Sequence, residues 1–216
     1  MVLALLLTAG MTVAAAQSRA KTTPLRIVVL GDSLVAGLQL KASDAFPAQL
    51  ERALKARGHH VEVVNAGVSG DTTAAGLERL RWAVPDGTDA VIVELGANDA
   101  LRGLDPARAK ANLDGIIAAV KAGGAEVLLA GMLAPRNLGP DYARTFDAMY
   151  PALAAKHGTL LYPFFLDGVA LDSQLNLADG MHPNPKGVAE ITRRILPVVE
   201  ELIGRVRARQ STGSRG

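Results

Sequence analysis

The sequence predicts one α/β domain of the flavodoxin-like kind, a three-layer α/β/α arrangement around a five-stranded parallel sheet ordered 2-1-3-4-5. Three observations lead there. Five short aliphatic runs, at residues 25–30, 61–65, 90–95, 127–130 and 159–162, alternate with stretches of helical character. Several of the runs end in Gly, Asn or Asp, the residues that turn a chain tightly at a strand end. Finally, 216 residues, 49% hydrophobic and 20% charged, suit a single domain with an ample core.

Each element has a local reason. Residues 25–30 are β-favouring aliphatics that run into Gly31-Asp32-Ser33-Leu34. Ser43 or Asp44 is placed to cap a helix over 45–57, with Pro47 in its first turn and Gly58 just past its end. The second strand opens into the loop 66–72, and Thr72 or Thr73 starts a helix that Pro85 stops. The third strand runs into Gly96-Ala97-Asn98-Asp99. Asp105-Pro106 opens the next helix as cap and first-turn proline, and Gly123-Gly124 closes it. A helical region over 142–156 is expected to kink or restart at Pro151 and to end at Gly158. After the fifth strand a long irregular segment leads to Asp179-Gly180-Met181-His182-Pro183-Asn184. The last helix is expected over 185–205, bent at Pro197.

Right-handed crossovers place the loops after strands one, two and three on the same carboxyl edge of the sheet, where open α/β sheets bind ligands. The loop before the final helix can reach that edge too. Four sequence-distant polar stretches therefore converge. Ser33 supplies a hydroxyl, and His182 a base whose imidazole can be neutral near pH 7. Asp179, three residues earlier, can orient that imidazole. The N–H groups of Ser33 and Gly70 and the amide of Asn98 can stabilise an oxyanion, a combination that suits acyl transfer.

The four blocks Gly31-Asp32-Ser33-Leu34, Ser69-Gly70-Asp71, Gly96-Ala97-Asn98-Asp99 and Asp179-Gly180-Met181-His182 resemble those of the GDSL, or SGNH, hydrolases, in the same order and on the same elements. The likeness spans about residues 25–203. The stretches Val93-Glu94-Leu95-Gly96-Ala97-Asn98-Asp99 and Tyr162-Pro163-Phe164-Phe165-Leu166 resemble the exported bacterial branch of multifunctional thioesterases, lysophospholipases and arylesterases. The resemblance implies Ser33 as nucleophile, Asp179 and His182 as its triad partners, and Ser33, Gly70 and Asn98 as oxyanion donors. It implies no cofactor and no metal. The expected partner is a small acyl ester or thioester. Leu101, Leu138, Phe164, Phe165 and Met181 lie near the cleft loops as candidates to line an acyl groove, although Phe164 and Phe165 beside a strand read equally as core. Asp32 reads as a structural residue of its turn.

Competing readings use the same residues. Asp32, Asp99, Asp179 and His182 could be ligands of a two-metal phosphohydrolase, but His59, His60 and His157 sit at helix ends, where cationic side chains suit the dipole. A non-catalytic envelope module binding acyl or glycan groups is a third reading. With four Phe, three Tyr and one Trp, the chain offers little for stacking on sugars. Residues 31–37 lack a phosphate-loop pattern, and G-x-S-x-G is absent there.

Composition narrows the rest. Without cysteine there is no thiolate nucleophile or zinc–thiolate site. The net charge is +2, but Arg205, Arg207, Arg209 and Arg215 follow Gly204 without an acid, so the remaining body is −2. Nucleic acid is therefore not an expected partner. Residues 1–16 are apolar and end in Ala14-Ala15-Ala16, a signal-peptide pattern too short for a comfortable membrane span. The expected organisation is a signal at 1–16, a linker at 17–24, the hydrolase domain at 25–205 and a basic, disordered tail at 206–216. Periplasmic or secreted placement and no stable membrane span in the mature form follow from it. Nothing in the sequence sets the number of subunits.

Overall fold

The computed structural model describes residues 23–213. The expected signal at 1–16 and most of the linker lie outside them. Five strands, β1 (Leu25–Gly31), β2 (Val61–Gly67), β3 (Ala90–Glu94), β4 (Glu126–Ala130) and β5 (Leu160–Tyr162), form one sheet in the order β2-β1-β3-β4-β5. Every pairing is parallel. The expected fold class is what the chain adopts.

The strands are buried on both faces because helices cover both. Ile27, Val28, Val29 and Leu30 of β1 and Val91, Ile92 and Val93 of β3 have no exposed surface. On one face lie α2 (Phe46–Ala56) and α8 (Pro185–Gly213), which pack on each other. The other carries α3 (Thr73–Glu78), α6 (Pro106–Ala122) and α7 (Pro140–His157). Two very short helices sit at the carboxyl edge: α1 (Ser33–Ala36) directly after β1, and α5 (Ala97–Leu101) after β3. The sequence reading had turns there. Continuous apolar runs announce strands, but a helix of four or five residues leaves no periodicity to detect.

Other differences are equally local. The α2 N-cap is Ala45, without a side-chain bond; Ser43 and Asp44 belong instead to a 3₁₀ turn at Ala42–Asp44. The Gln49 amide bridges the carbonyls of Asp44 and Pro185 there, at 3.0 and 3.1 Å. Thr72 does cap α3, accepting from the Ala75 N–H at 3.3 Å. That helix breaks at Arg79, whose side chain turns into the sheet edge, and resumes as α4 (Leu80–Ala83). Asp105 caps α6, accepting from the Ala107 N–H at 2.8 Å. Pro151 is contained within α7 without an interruption.

The largest departure is at the carboxyl end. The helix expected to stop near Arg205 runs to Gly213, so residues 206–213 are not a disordered tail. Val199, Leu202, Ile203 and Val206 form one buried stripe of α8, and its last member lies just past the expected end. Arg205 then donates to the Gly158 carbonyl at 3.2 Å and Gln210 to Asp89 at 2.9 Å, while Arg209 reaches the Gly124 carbonyl. The run of basic residues hid an apolar stripe of one residue per turn.

Val206→Ala should therefore cost about 1–3 kcal/mol, since Val206 is fully buried. Urea denaturation of the two proteins measures it. A disordered tail would make the substitution silent.

Candidate active site

Three loops at the carboxyl edge and one loop from α8's side build the site. Strand β1 ends at Gly31, and Asp32 caps α1 by accepting from the Leu34 N–H at 3.0 Å. The cap leaves Ser33 as the first helical residue, two positions beyond the sheet. Its Oγ lies 2.9 Å from His182 Nε2. On the far side of the ring, His182 Nδ1 lies 2.7 Å from Asp179 Oδ2. With Nδ1–H donating to Asp179, Nε2 carries a lone pair facing the Ser33 hydroxyl.

The histidine arrives on an irregular segment that is nevertheless tightly bonded. Asn176, buried, donates to the carbonyls of Val169 and Asp172 at 2.7 and 2.8 Å. Asn184 donates to the Gln174 and Asn176 carbonyls, and Leu177 N–H to the His182 carbonyl at 2.7 Å. Asp179 Oδ1 accepts from the N–H groups of Met181 and His182 at 2.9 and 3.0 Å. These two N–H groups, with the imidazole, hold the Asp179 carboxyl down at about 2. It is ionised wherever a neutral imidazole needs orienting.

The donors for an oxyanion come from the other loops. Gly70 sits at φ +87°, a conformation that side-chain-bearing residues avoid, and Arg102 fixes it by donating to its carbonyl at 2.8 Å. Asn98 is brought beside the nucleophile's turn: its Nδ2 donates to Asp32 Oδ2 at 3.0 Å and to the Asp71 carbonyl at 2.9 Å. Both amide hydrogens are thus engaged, and an oxyanion there would compete with the Asp71 carbonyl for one of them. Asp71 itself pairs with Arg79 at 2.5 Å, and Arg79 donates to the Gly31 carbonyl at 3.0 Å. Asp99 turns away from the cleft, accepting from Thr73 N–H and Oγ1 at 2.8 and 2.7 Å. Asp32 and Asp99 are therefore committed to loop bonds, and among the described residues no three His, Cys, Asp or Glu gather as metal ligands.

Sequence reasoning missed Arg79 and Glu94, both fully or nearly buried at this edge. A charged residue at the end of a continuous apolar strand was the available signal for Glu94. Of the groove candidates, Leu101 and Met181 are more than half exposed and Leu138 is 36% exposed on the loop after β4. Phe165 is not a groove residue. It has no exposed surface and packs edge-on against Phe46 at 5.0 Å between ring centroids. Phe164 also packs against the core. Val68, Leu104 and Leu133, each about 40% exposed on the same edge, went unlisted. A cavity of about 460 Å³ involving Leu80, Val84 and Thr88 lies at the opposite, amino-terminal edge, away from Ser33.

Residues 29–189 match the model of the GDSL-like lipase/acylhydrolase family. The chain belongs to that family. It is 40% identical over 178 residues to esterase TesA of Pseudomonas aeruginosa, covering 82% of this chain and 89% of that one. It is 41% identical to an arylesterase of Vibrio mimicus, covering 74% and 81% respectively. The thioesterase 1/protease 1/lysophospholipase L1 of Escherichia coli K12 is also 41% identical, with 73% and 75% covered. A solved structure of TesA superposes with a TM-score of 0.78 at 39% identity, covering 82% of this chain and 99% of that one. The expected family resemblance is shown.

The environment of Asp179 sets a pH signature. Its carboxyl lies below the ordinary aspartate value, so its stabilising contribution is whole above about pH 4 and falls away as pH drops through about 2. Carbon-detected NMR of the aspartate carboxyls, assigned with Asp179→Asn, should find this group titrating near 2. A titration at the ordinary aspartate value would mean that the loop does not hold it.

Proposed function

We propose that this member of the GDSL family is a serine esterase that hydrolyses carboxylic esters or thioesters through an acyl-enzyme on Ser33, without a metal. The observation that carries the reading is the continuous relay from Ser33 Oγ through His182 to Asp179, at 2.9 and 2.7 Å. In the first step Ser33 attacks the carbonyl carbon while His182 Nε2 takes its proton. Asp179 stabilises the resulting imidazolium and does not itself take the proton. The Ser33 and Gly70 N–H groups and the Asn98 amide bind the oxyanion. The imidazolium then protonates the departing alcohol or thiol. Water, deprotonated by the same histidine, attacks the acyl-enzyme and frees Ser33.

For substrate, the carboxyl-edge loops support an acyl or aryl group. Val68, Leu101, Leu104, Leu133, Leu138 and Met181 leave apolar surface exposed beside the polar groups, which suits aryl esters, medium-chain acyl esters, acyl-CoA or lysophospholipid. The names of the relatives agree with that range. Among the described residues no helix is long and apolar enough to cross a membrane. Periplasmic or secreted placement is part of the proposal and rests on residues 1–16.

A fluorophosphonate probe should label the protein, and Ser33→Ala should abolish the label and lower kcat by about 10⁴-fold or more. Label that survives the substitution would falsify Ser33 as the nucleophile. Ester hydrolysis should persist in excess EDTA; loss on chelation with recovery on Zn²⁺ or Mn²⁺ would instead indicate metal chemistry. On a series of nitrophenyl esters, kcat/KM should rise by less than about 4-fold per added methylene, because a half-exposed rim recovers only part of the ~0.8 kcal/mol that full burial of a CH₂ gives. A steeper rise would point to an enclosed acyl tunnel.

A further inference from the structure

Glu94 is the last residue of β3 and pairs in register with Gly31 of β1. Its side chain has no exposed surface, and neither carboxyl oxygen has a well-formed hydrogen bond; the one donor that approaches the carboxyl is the Asp32 N–H. The carboxyl fills the space above Gly31: a Cβ added there would lie 2.8 Å from Glu94 Oε2. Its neighbour is another acid. Asp32 is buried as well, and the two carboxyl groups are within hydrogen-bonding reach of each other.

Two ionised carboxylates cannot share such a space, since burial and mutual repulsion both oppose the second charge. A single proton resolves the conflict by turning one acid into a donor for the other. The surroundings decide which. Asp32 accepts from the Leu34 N–H and from the Asn98 amide, bonds that favour its charged form. Glu94 has no comparable donors. The other titratable groups nearby fit this placement: His182 favours charge on Asp32, Asp71 opposes it from the adjoining loop but is itself paired with Arg79, and Tyr150 from α7 spends its hydroxyl on the Leu95 carbonyl. Asp99 has both oxygens engaged by the Thr73 N–H and hydroxyl and turns away from the pair.

We propose that Glu94 is a positioning residue, a neutral carboxylic acid whose O–H donates to the Asp32 carboxylate and so fixes the acceptor that aims the Asn98 amide beside Ser33. Asp32 then accepts three times, from Glu94, Leu34 and Asn98, and its orientation is over-determined. The Asp32 bond holds the Asn98 amide in place before any substrate arrives, and the hydrogen that rests on the Asp71 carbonyl is the one an oxyanion would take over. Burial raises both carboxyls, but the Leu34 and Asn98 bonds hold Asp32 at about 6, so that it is ionised at neutral pH, while Glu94 lies well above the ordinary glutamate value. The proposal rests on the esterase reading only in its kinetic consequence.

Infrared difference spectroscopy at neutral pH should show the C=O stretch of a protonated carboxylic acid in the wild type, and Glu94→Gln should remove it. This measurement does not depend on what the enzyme hydrolyses. In kinetics, Glu94→Met removes the donor at similar volume and should lower kcat by roughly 10²–10³-fold, the size of losing one oxyanion donor, with KM little changed. Glu94→Gln, which still donates through its amide, should recover most of that loss. Absence of the band, or a Gln variant as impaired as the Met variant, overturns the proposal. So does a folded Met variant with full kcat. Should Glu94→Met fail to fold, the band and the kcat of Glu94→Gln decide. A band that is present while Asn98→Ala keeps full kcat would leave the shared proton standing and overturn Asn98 as the oxyanion donor.

Discussion

Backbone approaches backbone closely at the ends of β1 and β2, where Gly31 and Gly67 face each other. Neither position has room for a Cβ. At Gly67 it would sit 2.3 Å from the Ala36 nitrogen, and at Gly31 2.3 Å from a Val35 methyl. The closeness is what seats α1 directly on the sheet edge, so that Ser33 is held by a helix while lying only two residues past a strand. The Gly31 carbonyl in turn accepts from the Val68 N–H and from Arg79, each at 3.0 Å, which ties the second loop and the break between α3 and α4 to the same spot. A side chain at either glycine would have to lift α1, and the nucleophile, the oxyanion loops and the Asp32 cap would move with it.

The site divides into two halves with different physical support. Asn98 and the Asp32 cap that seats Ser33 belong to a largely buried network that runs from Arg79 through Asp71 and Asn98 to Asp32. Burying such groups adds little net stability, because desolvation offsets most of the attraction; its effect is to leave the side chains one satisfiable arrangement. The base half is different. Asp179 and His182 are partly exposed, on a segment held by the amides of Asn176 and Asn184 rather than by strand or helix. Oxyanion geometry is thereby set by the core, and the imidazole by a loop that can yield slightly as the proton moves between serine and leaving group.

Strands and their order were legible because burial on both faces demands unbroken aliphatic runs, and those are visible one residue at a time. The residues proposed as triad and oxyanion donors could be picked out because each lies at a strand's carboxyl end or just before the last helix, which topology alone brings together. What escaped shares one cause: it depends on what a side chain meets across the fold. Val206 reads as one aliphatic among arginines until α8 is laid against the sheet. Phe165 stands beside a cleft loop in the sequence but turns inward onto Phe46. Asn98 stands out in the sequence as a strand-end amide, but the engagement of both its hydrogens follows from the path of the Asp71 carbonyl, which no sequence pattern records. Glu94 stood in plain view as an acid in a buried strand, and only the donor-poor space around it gives that oddity a meaning.

Four aspartates lie at this edge, and residue type cannot assign their roles. Environment does. Asp99 receives an N–H and a hydroxyl from Thr73 and holds α3 to α5; Asp71 is neutralised by Arg79; Asp32 is buried beside a second acid. Each is matched to a partner other than the imidazole, and each is charged or restrained by a bond that a moving proton would have to break. Asp179 alone is both free of such a cation and within reach of His182, with its second oxygen saturated by two N–H groups. That saturation keeps it a weak proton acceptor. It can stabilise an imidazolium without taking the proton, and so the proton is returned to the leaving group rather than lost into the loop.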